Sequence, residues 1–120
     1  KQFPAVDLAA AYALDHVSNK ETFDIYTCRR NILIDGLQRI GFDIQKPKAT
    51  FYVWLKNPKG LSSMDFSKIL LEQASVLAIP GVGYGSQGEG YVRMSLTVSG
   101  DKNGERLEEA VNRIEALKLM

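Results

Sequence analysis

Five of the ten glycines in this chain fall between Gly81 and Gly90, inside the run AIPGVGYGSQGEGYVRMSL, and no regular element crosses such a stretch unbroken. The run is bounded by VLAI at 76–79, which ends against Pro80, and by YVRMSLTV at 91–98. Both flanks have the apolar and β-branched content of short strands. The chain must therefore build a small sheet, two members of which are joined by an irregular crossover inside one packing unit. The same pattern sets Arg93 on a strand. Alternation groups it with Ser95 and Thr97 on one face, and Val92, Met94, Leu96 and Val98 on the other. A guanidinium fixed on a strand is a rigid fork of donors suited to a carboxylate or phosphate.

Periodicity supplies the other elements. A helix is expected from about Val6 to Val17, with Val6, Ala9, Ala10, Ala13, Leu14 and Val17 forming an apolar stripe whose small residues permit close packing. A second runs from about Glu21 to Ile40, with Tyr26, Leu33, Leu37 and Ile40 on one face and Gly41 where a left-handed cap belongs. Gly36 inside it marks a close approach by another element or a bend. The segment ATFYVWLK reads as a strand with both faces covered, Phe51, Val53 and Leu55 alternating with Tyr52 and Trp54. A helix near Met64 to Ala74, capped by Ser62 or Ser63, turns Phe66, Ile69, Leu70 and Ala74 to the core. The last helix runs from about Asn103 to Lys118, with Leu107, Ala110, Val111, Ile114 and Leu117 as its apolar stripe. The order α-α-β-α-β-β-α predicts an α/β sandwich: a mixed or largely antiparallel three-stranded sheet covered by helices, in one domain over residues 1–120.

Charge and cysteine content narrow the function classes. Fifteen Lys plus Arg against fourteen Asp plus Glu leave a formal charge of +1, so no field of one sign points to nucleic acid or an anionic membrane. The single Cys28 cannot form an internal disulfide, and the lone His16 has no second ligand nearby, so no metal site is expected. A cytoplasmic, soluble chain fits these features, with neither a leader nor an apolar span at KQFPAVDL.

Gly83, Gly85 and Gly88 match the GxGxxG spacing of dinucleotide sites, but that fingerprint needs a helix after the loop, and here a strand follows. No Walker lysine is present either. A structural reading makes Glu89 an exposed loop charge and Arg93 a strand arginine paired with a nearby carboxylate. Tyr52 and Trp54 then pack in the core. Asp15 and His16 lack a serine partner, and Cys28 has only Arg29 and Arg30 beside it to lower its pKa. No complete catalytic set is visible.

The strings YTCRRNILIDGLQRIGF, PKATFYVWLKNPKG and SSMDFSKILLEQASVLAIPGVGYGSQGEGYVRMSL resemble the small domain found at the C-terminus of class I pyridoxal-phosphate-dependent aminotransferases. The flavour is that of the aspartate and LL-diaminopimelate aminotransferase relatives. The likeness runs in order from about Val6 to Leu117, and the combination of Arg29-Arg30, PKATFYVW, Pro80-Gly81 and GEGYVR is specific to it. Asn31, where aspartate is common, and Tyr84, where phenylalanine is usual, are mild departures.

The resemblance implies that Arg93 binds the α-carboxylate of an amino acid or 2-oxo acid substrate and that the domain closes over the active site. It implies pyridoxal 5'-phosphate in the full-length enzyme, held by a large domain preceding Lys1, with no cofactor bound to this fragment and no catalytic residue within it. The intact protein is expected to be a homodimer. The contrasting reading is a stand-alone module that holds a small carboxylate at Arg93, or a purely structural domain.

Overall fold

In the computed structural model, described for residues 3–120, four helices and a three-stranded sheet follow one another in the anticipated order. Helix α1 spans Pro4–His16 and α2 spans Lys20–Ile40. Strand β1 (Tyr52–Lys56) leads to α3 (Ser63–Ala74), then to the two-residue β2 (Ile79–Pro80). Two 3₁₀ turns, Gly81–Tyr84 and Ser86–Gly88, carry the chain to β3 (Tyr91–Ser95), and α4 (Glu105–Ala116) closes it.

The sheet order is β1-β3-β2 and every pairing is antiparallel. β3, last in sequence, is therefore the central strand, with Trp54 directly opposite Arg93 on one side and Ile79 opposite it on the other. VLAI contributes less strand than its composition promises: only Ile79 and Pro80 pair. Pro80 lacks an N–H for the ladder and sits at the edge, where that loss is tolerated.

One face of the sheet is packed. Val53 and Leu55 from β1 and Val92 and Met94 from β3 join Leu33, Ile34 and Leu37 of α2, Phe66 and Leu70 of α3, and Leu107, Val111 and Ile114 of α4 in a single core. Ser62 caps α3 by accepting the Asp65 backbone N–H, and Gly41 ends α2 with φ of 114°. Gly36 lies where α2 meets α4: a Cβ there would stand 2.7 Å from a Val111 methyl carbon. The close approach expected of that glycine is present.

The α1 stripe of Val6, Ala9, Ala10, Ala13, Leu14 and Val17 buries no residue, so the close packing its small residues permit is not used among the described residues; one expectation, at β1, fails. The outer face of β1 is also open: Trp54 is 41% exposed and Tyr52 half-buried, so neither joins the core. Period alone assigns a face but not the surface that will cover it.

Arg29 supplies a tie that hydrophobic pattern could not reveal. Its side chain is buried and donates to three backbone carbonyls beyond β3: Nε to Asp101 at 2.9 Å, Nη1 to Leu96 at 3.0 Å and Nη2 to Val98 at 2.7 Å. The guanidinium thereby fixes the exit of the strand that carries Arg93.

Candidate functional site

Arg93 sits at the middle of the central strand because Val92 and Met94, on either side of it, are drawn into the core. Alternation then turns Arg93 outward, onto the face shared by Tyr52, Trp54, Tyr91 and Ile79. Its guanidinium carbon lies 3.8 Å from the centroid of the Tyr52 ring and 4.3 Å from that of Tyr84. Trp54 meets Tyr84 edge-on, with centroids 5.6 Å apart and planes at 74°. A hollow of about 400 Å³ lined by Trp54, Tyr84, Gln87, Gly88 and Tyr91 opens beside them.

No carboxylate lies within ion-pairing distance of Arg93 among the described residues. The structural expectation of a paired strand arginine is thus replaced by an arginine resting on aromatic rings. At these distances both rings make cation–π contact with the guanidinium, and no side-chain or backbone acceptor takes its N–H groups among the described residues.

The glycine loop with the GxGxxG spacing holds its shape by backbone against backbone. A Cβ on Gly81 would stand 2.0 Å from the Gly88 carbonyl oxygen, and one on Gly88 would stand 2.1 Å from that of Gly81. Gly85 adopts φ of 114°, open to glycine at little cost. The loop is anchored at its far end by Glu89, which accepts hydrogen bonds from the backbone N–H and hydroxyl of Ser63. These bonds, the backbone one foremost, hold the Glu89 carboxyl below its ordinary pKa. Glu89 is the exposed loop charge expected of it, and the structure adds Ser63 as its partner. The only sequence signal for this contact was Ser63 at a helix start, where an acidic group is favoured.

The other candidates stay apart from this cluster. His16 stacks on Tyr12 within α1, its centroid 4.0 Å away, and Asp15 is exposed on the same helix. Cys28 is a free, exposed thiol on α2. Among the described residues no group of His, Cys, Asp or Glu could hold a metal, and no helix is long and apolar enough to cross a membrane.

The family profile for aminotransferase class I and II matches residues 3–114. This chain belongs to that aminotransferase family. An LL-diaminopimelate aminotransferase of Syntrophobacter fumaroxidans is 50% identical over 117 residues, which is 96% of this chain and 29% of that protein. A second LL-diaminopimelate aminotransferase, from a Nostoc species, is 44% identical over 94% of this chain and 28% of its own length. Among solved structures, an aminotransferase from Staphylococcus aureus superimposes with a TM-score of 0.80 at 32% identity, over 98% of this chain and 31% of that one. The aromatic aminotransferase from Pyrococcus horikoshii gives 0.77 at 36% identity, covering 84% and 27%. The aminotransferase chain thus spans under a third of the length of the relatives it matches.

Membership in class I implies pyridoxal phosphate in full-length enzymes. The residues here do not fit that group. A lysine that forms a Schiff base is desolvated or paired with another cation, whereas all eight described lysines are exposed. The N-terminus of α3, the natural place for a phosphate, already gives its Ser63 N–H to the Glu89 carboxylate and its Asp65 N–H to the Ser62 hydroxyl.

Proposed function

We propose that this chain is the C-terminal small domain of a pyridoxal-phosphate-dependent amino acid aminotransferase, inactive alone, in which Arg93 binds the substrate α-carboxylate. The observation that carries the proposal is Arg93 itself: a guanidinium on the central strand, facing outward, with no carboxylate partner among the described residues. In the full-length enzyme pyridoxal phosphate would supply the electron sink for exchanging an amino group between an amino acid and a 2-oxo acid, and residues of a large domain, not those of this chain, would hold it.

Arg93 orients. A bidentate bond to the carboxylate fixes the direction of the substrate Cα–H bond, and that orientation converts binding into rate. Closure of this domain over the site carries Arg93 and the Gly81–Gly90 loop inward and excludes water. The names of the relatives make LL-diaminopimelate the first amino donor to test. The full-length enzyme is a cytoplasmic homodimer in this reading. A purely structural domain is the weaker alternative, because it needs an internal acid for Arg93 that the fold does not supply.

The test is Arg93→Lys in the full-length enzyme. Replacing a fork by a point charge is expected to lower kcat/KM for the amino donor by about 100-fold, with the absorbance of the bound cofactor unchanged. Wild-type kinetics would remove the assignment.

A further inference from the structure

We infer that Tyr52 and Tyr84 are positioning residues for Arg93, holding its guanidinium plane so that the N–H edge is presented to the substrate before the substrate arrives. The inference rests on the reading of Arg93 as the carboxylate-binding residue and adds what prepares it.

An arginine with neither acid nor carbonyl to hold it would sample many rotamers, and each productive encounter would bear the cost of ordering it. Here two rings limit that freedom. The guanidinium carbon lies 3.8 Å from the Tyr52 centroid and 4.3 Å from that of Tyr84, both close enough for stacking. Guanidinium is weakly hydrated on its faces, so stacking there costs little, and its donors, all in the plane, stay available.

Each ring is itself held. Tyr52 belongs to β1 and pairs with Ser95, two residues along β3 from Arg93. Tyr84 ends the first 3₁₀ turn of the glycine loop, and its ring meets Trp54, which stands directly opposite Arg93 in the sheet. The Gly81 and Gly88 backbones touch at the base of that turn, and the Glu89 carboxylate pins the loop to Ser63. Glycine at these positions therefore does more than permit a crossover: it sets Tyr84 against the arginine.

The test uses steady-state kinetics of the full-length enzyme. Tyr52→Leu and Tyr84→Leu are each expected to raise KM for the amino acid and the 2-oxo acid about tenfold, while kcat changes by less than about twofold. Tyr84→Phe, which keeps the ring, should recover most of the loss. Tyr84 is 48% exposed and outside the core, so the thermal midpoint should not move. In an Arg93→Lys background, Tyr84→Leu should add less than about a twofold change in KM. Equal effects in both backgrounds, or a Phe variant no better than Leu, would overturn the inference. Loss in Arg93→Lys with normal tyrosine variants would also overturn it while leaving the carboxylate reading intact. Normal kinetics in Arg93→Lys would end both.

Discussion

Glu89 takes the Ser63 backbone N–H on one carboxylate oxygen and the Ser63 hydroxyl on the other, each at 2.8 Å. A single exposed carboxylate thereby joins the glycine loop to the first turn of α3, 26 residues away in sequence. The contact depends on the ionised form, so it makes loop stability a function of pH.

The Glu89 carboxyl is held below its ordinary pKa by hydrogen bonds to its charged form. A group whose folded pKa is lowered stabilises fully above its unfolded value and loses that contribution as pH falls through the folded one. Glu89→Gln is therefore expected to be less stable than wild type at neutral pH. The difference should shrink as pH drops below the ordinary glutamate range. Thermal melts of both proteins at pH 7 and at about pH 3 check this; a gap that persists undiminished in acid would contradict it.

Gly81→Ala should damage the loop severely, because its Cβ would meet the Gly88 and Tyr91 carbonyl oxygens at 2.0 and 2.6 Å, and neither backbone can yield freely. We expect a loss of about 3 kcal/mol. Gly83→Ala is the control. Nothing lies within 4 Å of its Cβ, so urea denaturation should show a change within about 0.5 kcal/mol.

At Gly36 two effects oppose each other. Alanine improves helix propensity by about 1 kcal/mol, but its Cβ would approach the Val111 methyl carbons to 2.7 and 2.9 Å. Val111 is stiff at χ1 and buried, so crowding of about 1–3 kcal/mol should win and Gly36→Ala should destabilise. Adding Val111→Ala to it should cost less than Val111→Ala does alone, a coupling that a double-mutant cycle in urea would reveal.

Arg29→Lys should cost about 3 kcal/mol despite keeping the charge. One ammonium cannot reach the carbonyls of Leu96, Val98 and Asp101 in the geometry of a planar fork, and hydrogen bonds from charged donors are among the stronger ones. Chemical denaturation measures it, and a change below about 1 kcal/mol would show that the three bonds contribute little net stability.

What the sequence discloses divides along physical lines. The α4 stripe, the Gly41 cap and the crowding at Gly36 were legible because each depends on local period or backbone freedom, and the pattern itself encodes those. Arg93 was legible as an outward strand residue for the same reason. Its aromatic partners were not, because Tyr52 looks like a core residue until one knows that only one sheet face is covered, and Tyr84 reaches it from a loop whose path no period records. Arg29 was equally hidden. Its partners are backbone carbonyls 67 to 72 residues away, which no side-chain pattern records. The α1 stripe shows as a period with no buried residue, since a periodic face carries no mark of what covers it.

The strand order also has a consequence during synthesis. β1 and β2 each pair only with β3, the last of the three to leave the ribosome. Until residues 91–95 emerge, the earlier strands have no partner and the sheet has no nucleus of its own. The strand that completes the sheet is the one that bears Arg93, so the nascent chain gains its architecture and its outward-facing guanidinium in the same event.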